Sequence, residues 1–256
     1  MPVKVMLPMI AVVAACAWAL AQSAATGGAD AGAGGPGKLV FEETFDKGLE
    51  NWTPEGPHVV EVKDGRLHVK TADDGRNLGQ FVWCRTALPK DFRIEFDVTP
   101  ASASGFFLIF FNVEGVKGED ILGADLFENY LPWKQWKPYQ DWDKYTSPPK
   151  RKHESRIRCY HASYRRNEQA NCNLRKNPGL NLVKSNDIEA LLPKDKPAHV
   201  ALTKLGARIR IVVNGREFMD WTDDKDAWSG GRFGFRQVYE SEGNYDNVKL
   251  YDLTKE

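Results

Sequence analysis

Phe92-Arg-Ile-Glu-Phe-Asp-Val98 is the stretch on which the fold turns. Phe92, Ile94, Phe96 and Val98 alternate with Arg93, Glu95 and Asp97. A side-chain period of two puts the apolar set on one face of an extended strand and the charged set on the other. To either side lie hairpin signals. Val60–Val62 and Leu67–Val69 flank Asp64-Gly65, and Ile209–Val213 runs into Asn214-Gly215 ahead of Phe218. Asp-Gly and Asn-Gly accept the positive φ angles of two-residue turns. Phe106–Phe111 is apolar without a break, as in a central strand buried on both faces. Further strands are expected at His199–Leu205, Gly231–Tyr239 and Asn247–Leu253, with one or two helical turns over Asp187–Leu192. Spaced strands without crossover helices predict an all-β fold, a sandwich of two antiparallel sheets.

The two ends of the chain differ in kind. Residues 1–21 carry Lys4, the apolar run Val5–Leu20 and an Ala19-Leu20-Ala21 cleavage site, the pattern of a secretory signal. Val13-Ala-Ala-Cys16 also fits a lipobox that would leave Cys16 lipidated, and an uncleaved anchor is a third reading. All three place the mature domain outside the cytoplasm; on the leading reading, a cleaved signal, the mature protein has no membrane-spanning domain. Residues 22–37 are Gly/Ala-rich and read as a flexible tether. Residues 38–256 form the expected single domain. Within it, Gly115–Ser155 carries little strand signal but holds Trp133, Trp136, Tyr139, Trp142 and Tyr145, so it is expected to be functional.

Composition excludes several classes. With 35 basic and 35 acidic side chains the net charge is zero, against general nucleic-acid binding. There is no CxxC pair, Walker loop or strand-linked GxGxxG to support zinc, nucleotide or dinucleotide chemistry. Outside the leader, Cys84, Cys159 and Cys172 allow one disulfide and a free thiol, with Cys159–Cys172 the short-loop pairing, or three buried thiols.

Against that neutral background, Lys150–Lys176 holds nine Lys/Arg and only two acids, Glu154 and Glu168. Tyr160, His161 and Tyr164 are interleaved with the charge, a combination suited to an anionic, ring-containing partner. Alternation over Ile157–Arg165 splits the segment into two rows. Ile157, Cys159, His161, Ser163 and Arg165 share one face, and Arg158, Tyr160, Ala162, Tyr164 and Arg166 share the other. Either row can face ligand. Arg236 and Gln237 are expected to face a cleft, because Gly234 removes a side chain and opens close approach.

Phe41-Glu-Glu-Thr-Phe-Asp46 with Trp52, the Phe92–Val98 strand, Gly231-Arg-Phe-Gly-Phe-Arg-Gln237 and Tyr245-Asp-Asn-Val-Lys-Leu250 resemble the concanavalin A-like jelly-roll superfamily. More narrowly, Gly118-Glu-Asp-Ile121, Cys159-Tyr-His-Ala-Ser-Tyr-Arg-Arg166, Asn173-Leu-Arg-Lys-Asn177 and Gly234-Phe-Arg-Gln237 resemble the YesU-like family. That family was long catalogued as a domain of unknown function and is associated with polysaccharide-utilisation gene clusters, including rhamnogalacturonan ones. The resemblance covers about residues 39–253. It implies a jelly-roll sandwich and a polysaccharide context, with ligand across the concave sheet; the basic, Tyr/His-bearing segment makes an acidic poly- or oligosaccharide the expected partner.

Two cleavage chemistries are compatible with the residues. β-Elimination at a uronate needs a neutralised carboxylate, a base for the C5 proton and an acid for the leaving oxygen. Arg236 or Arg175 can neutralise, and His161, Tyr160 and Tyr164 are the candidate bases and acids, with Arg165, Arg166, Arg175 and Lys176 as further anion contacts. Hydrolysis needs paired carboxylates, for which Glu119 and Asp120 are candidates among the acids after Val113. Elimination is placed slightly ahead. Neither chemistry requires a cofactor. The superfamily often carries a structural calcium between its first and last strands, and Glu43, Asp46 and Asp246 supply suitable oxygens. The alternatives are a non-catalytic carbohydrate-binding module, with Trp133 and Trp136 as stacking platforms, and a structural envelope protein.

Overall fold

The structure, a computed structural model, describes residues 37–72, 79–103, 105–122, 157–165, 172–186 and 192–255. The leader with Cys16, residues 22–36 of the tether, Trp133 and Trp136, Arg166 and the expected turn over 187–191 lie outside these residues.

In chain order the strands are β1 (Lys38–Glu43), β2 (Trp52–Glu55), β3 (Val59–Lys63), β4 (Arg66–Lys70) and β5 (Gln80–Cys84). There follow β6 (Phe92–Pro100), β7 (Phe106–Gly115), β8 (Ile157–Arg165), β9 (Cys172–Asn177) and β10 (Asn181–Asn186). The chain closes with β11 (Ala198–Leu205), β12 (Arg208–Val213), β13 (Arg216–Thr222), β14 (Arg232–Val238) and β15 (Glu242–Asp252). They form two antiparallel sheets. One runs β13-β12-β11-β6-β15-β4-β3, with β1 also paired to β15; the other runs β10-β9-β8-β7-β14-β5-β2. No helix among the described residues is long and apolar enough to cross a membrane.

The expected strands form where the pattern places them. Along β6 buried and half-buried residues alternate strictly, and β7 is central in its sheet and buried almost throughout. Asp64 and Gly65 both take positive φ between β3 and β4, as do Asn214 and Gly215 between β12 and β13, which gives each hairpin its tight turn. Between the sheets lies an aromatic core. Phe235 stacks on Tyr245 at 4.3 Å, and Phe96 meets Phe235 edge-on at 4.8 Å. Trp52 stacks on Phe235 at 5.6 Å. Each such side chain contributes about 1.5–3 kcal/mol by leaving water.

The three described cysteines are buried free thiols, so the Cys159–Cys172 bridge does not form. The hairpin register explains it: Cys159 lies opposite Asn177, and Cys172 begins β9 five residues away, about 16 Å along an extended strand.

Candidate functional site

The seven-stranded sheet has two unlike faces. On β5, Val82 and Cys84 enter the core between the sheets, while Phe81 and Trp83 point outward. On β7, Phe107, Ile109 and Phe111 point inward, and Leu108 and Phe110 outward. On β8, Tyr160, Ala162 and Tyr164 point inward, whereas Ile157 and Cys159 point outward, with His161 in the same row. The outer face of a two-layer sandwich is ordinarily polar and wet. Here it is aromatic and buried.

Four rings form a continuous row across β5, β7 and β8. Trp83 stacks on Phe81 at 4.9 Å and 16°, Phe81 meets Phe110 edge-on at 5.2 Å, and Phe110 stacks on His161 at 4.7 Å and 17°. β14 lies between β5 and β7, and its residue in register with both Trp83 and Phe110 is Gly234. A side chain there would break the row. The space at Gly234 is therefore filled by Trp83, which corrects the expectation that this glycine opens a path for ligand: a β-carbon would sit 2.5 Å from the indole Cε3.

Arg236 and Glu55 supply the charge. The Arg236 guanidinium lies 4.8 Å from the Phe81 ring centre, a cation–π contact. Glu55 ends β2, in register with Phe81, and its side chain is only 5% exposed. Its Oε2 accepts the Trp83 Nε1–H at 2.5 Å, while Oε1 has no hydrogen-bond partner. Burial pushes the carboxyl up to about 7, against the opposing pull of the Trp83 hydrogen bond and the Arg236 charge.

His161 is a neutral donor. The Leu180 N–H donates to Asn177 Oδ1 at 3.2 Å, which turns the Asn177 amide nitrogen toward His161 Nδ1 at 2.9 Å and the Cys159 sulfur at 3.4 Å. Nδ1 thus accepts, and the imidazole proton sits on Nε2. Burial, with the charges of Arg236 and Arg175, holds the ring's pKa down at about 3. Cysteine, histidine and asparagine are gathered here, but burial pushes the Cys159 thiol up to about 12, and so it supplies no thiolate near neutrality.

The other expected residues divide between this face and elsewhere. Arg175 lies opposite His161 in register, on the same outer face, and donates to Leu180 O at 2.6 Å. Arg165 pairs with Phe107 through the backbone of β8 and β7. Tyr160 and Tyr164 belong to the core between the sheets. The Tyr160 hydroxyl donates to Asp223 Oδ2 at 2.5 Å and accepts the Trp228 N–H at 2.9 Å, and the Tyr164 hydroxyl bonds to that of Tyr245 at 3.4 Å. Burial raises both phenols. Lys176 follows Tyr160 inward and pairs with Asp223 at 2.7 Å.

Gln237 also faces inward, because adjacent strand residues point to opposite sides. It donates to the Tyr245 hydroxyl at 3.3 Å and accepts from Ser241 Oγ at 3.2 Å, so it does not share a cleft with Arg236. Glu119 is exposed and accepts the Lys117 N–H at 2.8 Å. Asp120 is held by Arg232 through bonds of 2.6 and 2.5 Å. Of the calcium candidates, Glu43 binds the Phe45 N–H and Asn51, Asp46 accepts from Thr44, and Asp246 faces Arg66 at 3.8 Å. Among the described residues no group of three or more His, Cys, Asp or Glu is arranged to hold a metal ion.

Residues 38–250 match the family model described as a domain of unknown function, DUF1961. The chain belongs to the DUF1961 family. It is 23% identical over 219 residues to the uncharacterized protein YesU of Bacillus subtilis (strain 168), an alignment covering 81% of this chain and 91% of YesU. Among solved structures, this DUF1961 chain is similar to a Bacillus subtilis protein of unknown function with a galectin-like fold. The TM-score is 0.67 at 22% identity, over 84% of this chain and 96% of that one. It is also similar to the Bacillus subtilis carbohydrate-binding module CBM66, with a TM-score of 0.51 at 14% identity over 80% of this chain and 97% of the module. A third likeness is to the exoplasmic/lumenal domain of VIP36 in its Ca2+/Man3GlcNAc-bound form. There the TM-score is 0.55 at 11% identity, over 86% of this chain and 92% of that domain. These likenesses agree with a galectin-like sandwich fold for this chain.

Glu55, Phe81, Trp83 and Phe110 are members of this face that sequence reasoning missed. Phe81-Val-Trp-Cys84 held the available signal: a strand apolar on both faces, in a fold that ordinarily wets one of them. A single Glu after Thr53-Pro54 carries no such mark.

Proposed function

We propose that this chain is an exported carbohydrate-active protein that recognises an anionic saccharide, uronate-containing or sulfated, on the outer face of the seven-stranded sheet. The observation that carries the reading is the Arg236 guanidinium set on an aromatic row that ends in His161, with Arg175 beside it. Sugar rings present apolar C–H faces to aromatic surfaces, and arginine matches a carboxylate or sulfate through paired charge-assisted bonds. The neutral His161 adds an Nε2–H donor. The shared fold with CBM66 and with the glycan-bound VIP36 domain supports a saccharide as the ligand class.

Cleavage is the second reading, favoured by Glu55. A carboxyl held near 7 carries a proton at neutral pH and can pass it to a leaving glycosidic oxygen. With Arg236 neutralising a uronate, elimination stays ahead of hydrolysis, because the charged group acting on Glu55 is Arg236 rather than a second carboxylate. Incubation with pectic, alginate-like and sulfated glycans tests both readings. Binding of an acidic glycan is expected, weakened at least about tenfold in Arg236→Gln. Ultraviolet absorbance of unsaturated uronates would mark elimination; new reducing ends without it would mark hydrolysis; binding without product would leave a binding module. Binding of neutral glycans alone would contradict the reading.

A further inference from the structure

Glu55 of β2 and Arg236 of β14 both lie in register with Phe81 of β5, so they flank it as a charged pair on the outer face, and Glu55 keeps one unfilled valence. Glu55 is 5% exposed and Arg236 is 7% exposed, so neither charge is compensated by bulk water. From β5, Glu55 is faced by the uncharged Trp83 and Phe81; from β14, by Arg236. His161, farther along the row, is neutral, and Arg175 lies beyond it on β9. Glu55 Oε1 is buried with no hydrogen-bond partner, and a desolvated acceptor left unmatched is unfavourable until something donates to it.

We propose that this pair is a proton-linked anion subsite: the carboxylate or sulfate of the saccharide takes the Arg236 guanidinium, and Glu55 takes up a proton from solvent as it does so. The inference rests on the functional reading of the outer face given above. Two anions around one desolvated guanidinium repel each other, and protonation of one removes the repulsion. Glu55 is the one that yields, since burial already brings its carboxyl to about 7 and the Arg236 charge is what holds it down. Once protonated, its Oε1–H is a donor that can reach a ligand oxygen, so the unfilled valence is satisfied in the bound state. Affinity for the anion is then steady below about pH 7 and falls by up to about tenfold per pH unit above it.

Two measurements test the proposal, one with ligand and one without. Titration calorimetry at about pH 8, in buffers of different ionisation enthalpy, reads the protons taken up when a trigalacturonate or a sulfated trisaccharide binds. The wild-type chain is expected to take up close to one proton, and Glu55→Gln to bind the same probe with none and with a flat pH dependence. The two probes distinguish carboxylate from sulfate as the anion. Binding without uptake, or unchanged uptake in Glu55→Gln, overturns the inference while leaving the recognition reading intact. In the ligand-free chain, carbon-13 NMR follows the Glu55 carboxyl directly. Arg236→Gln is expected to move its midpoint upward, and an unmoved midpoint overturns the inference whatever the saccharide panel shows. Failure of every acidic glycan to bind, with that midpoint shifted as expected, would instead count against the functional reading.

Discussion

Gly234 of β14 lies in register with Trp83 of β5, and the indole occupies the space a side chain at 234 would need. A β-carbon there would come within 2.5 Å of Trp83 Cε3 and 2.7 Å of Val82 O. Backbone on one side and a packed ring on the other leave no room to relax. Gly234→Ala is expected to destabilise the fold by about 1–3 kcal/mol through overpacking. Denaturant unfolding checks this, together with near-ultraviolet circular dichroism, which should report a displaced tryptophan. An unchanged midpoint would mean that Trp83 does not lie flat on β14.

Glu55 should give the stability an unusual pH slope. Its folded pKa of about 7 lies above the ordinary 4.5, so the folded state holds a proton that the unfolded state releases first. Stability from this group is full below the unfolded value and declines as pH rises from about 4.5 to about 7, by roughly 3 kcal/mol. His161 works in the opposite sense. Its folded pKa of about 3 lies below the ordinary 6.5, so its contribution is present above 6.5 and is lost as pH falls toward 3. Urea midpoints measured across this range should lose the alkaline-side decline in Glu55→Gln and keep the acid-side loss.

Tyr160 ties the two layers together at Asp223 and Trp228. Tyr160→Phe leaves the Trp228 N–H without its acceptor, while Asp223 keeps Lys176. A loss of about 1–3 kcal/mol in unfolding free energy is expected, with saccharide affinity unchanged. A variant of normal stability and abolished binding would return Tyr160 to the site.

The described thiols should be silent in the native protein. Cys84, Cys159 and Cys172 are buried, and burial pushes Cys84 and Cys159 up to about 12. A thiol-specific reagent is expected to label none of the three before unfolding and all of them after it. Fast native labelling at Cys159 would contradict the inert reading of the Cys159–Asn177–His161 cluster.

The sandwich was legible because its evidence is local. The alternation of Phe92–Val98 and the Asp64-Gly65 and Asn214-Gly215 turns each follow from a few consecutive residues. Cys172–Asn177 is absent from the expected strands, because Asn173, Arg175 and Asn177 mask the alternation of a strand that pairs on both sides. The site was legible only in part. Period two sorted Tyr160 and Tyr164 from His161, but which row faces the core depends on the opposite sheet, where Asp223 and Tyr245 wait for the two hydroxyls. The basic segment divided for the same reason: Arg158 pairs with Glu114 and Lys176 with Asp223, partners distant in sequence. Glu55 owes its character to burial against Trp83 and Arg236, which no single-strand pattern encodes.

Comparing acidic-saccharide affinity in Arg236→Gln and Lys176→Gln tests most directly whether ligand lies on the outer face. Arg236 sits on that face, whereas Lys176 is turned inward to Asp223. Arg236→Gln is expected to weaken binding at least about tenfold, the effect of losing one charge-assisted contact of about 1.5–3 kcal/mol, with Lys176→Gln binding as the wild type does. Affinity lost in Lys176→Gln and retained in Arg236→Gln would contradict the account.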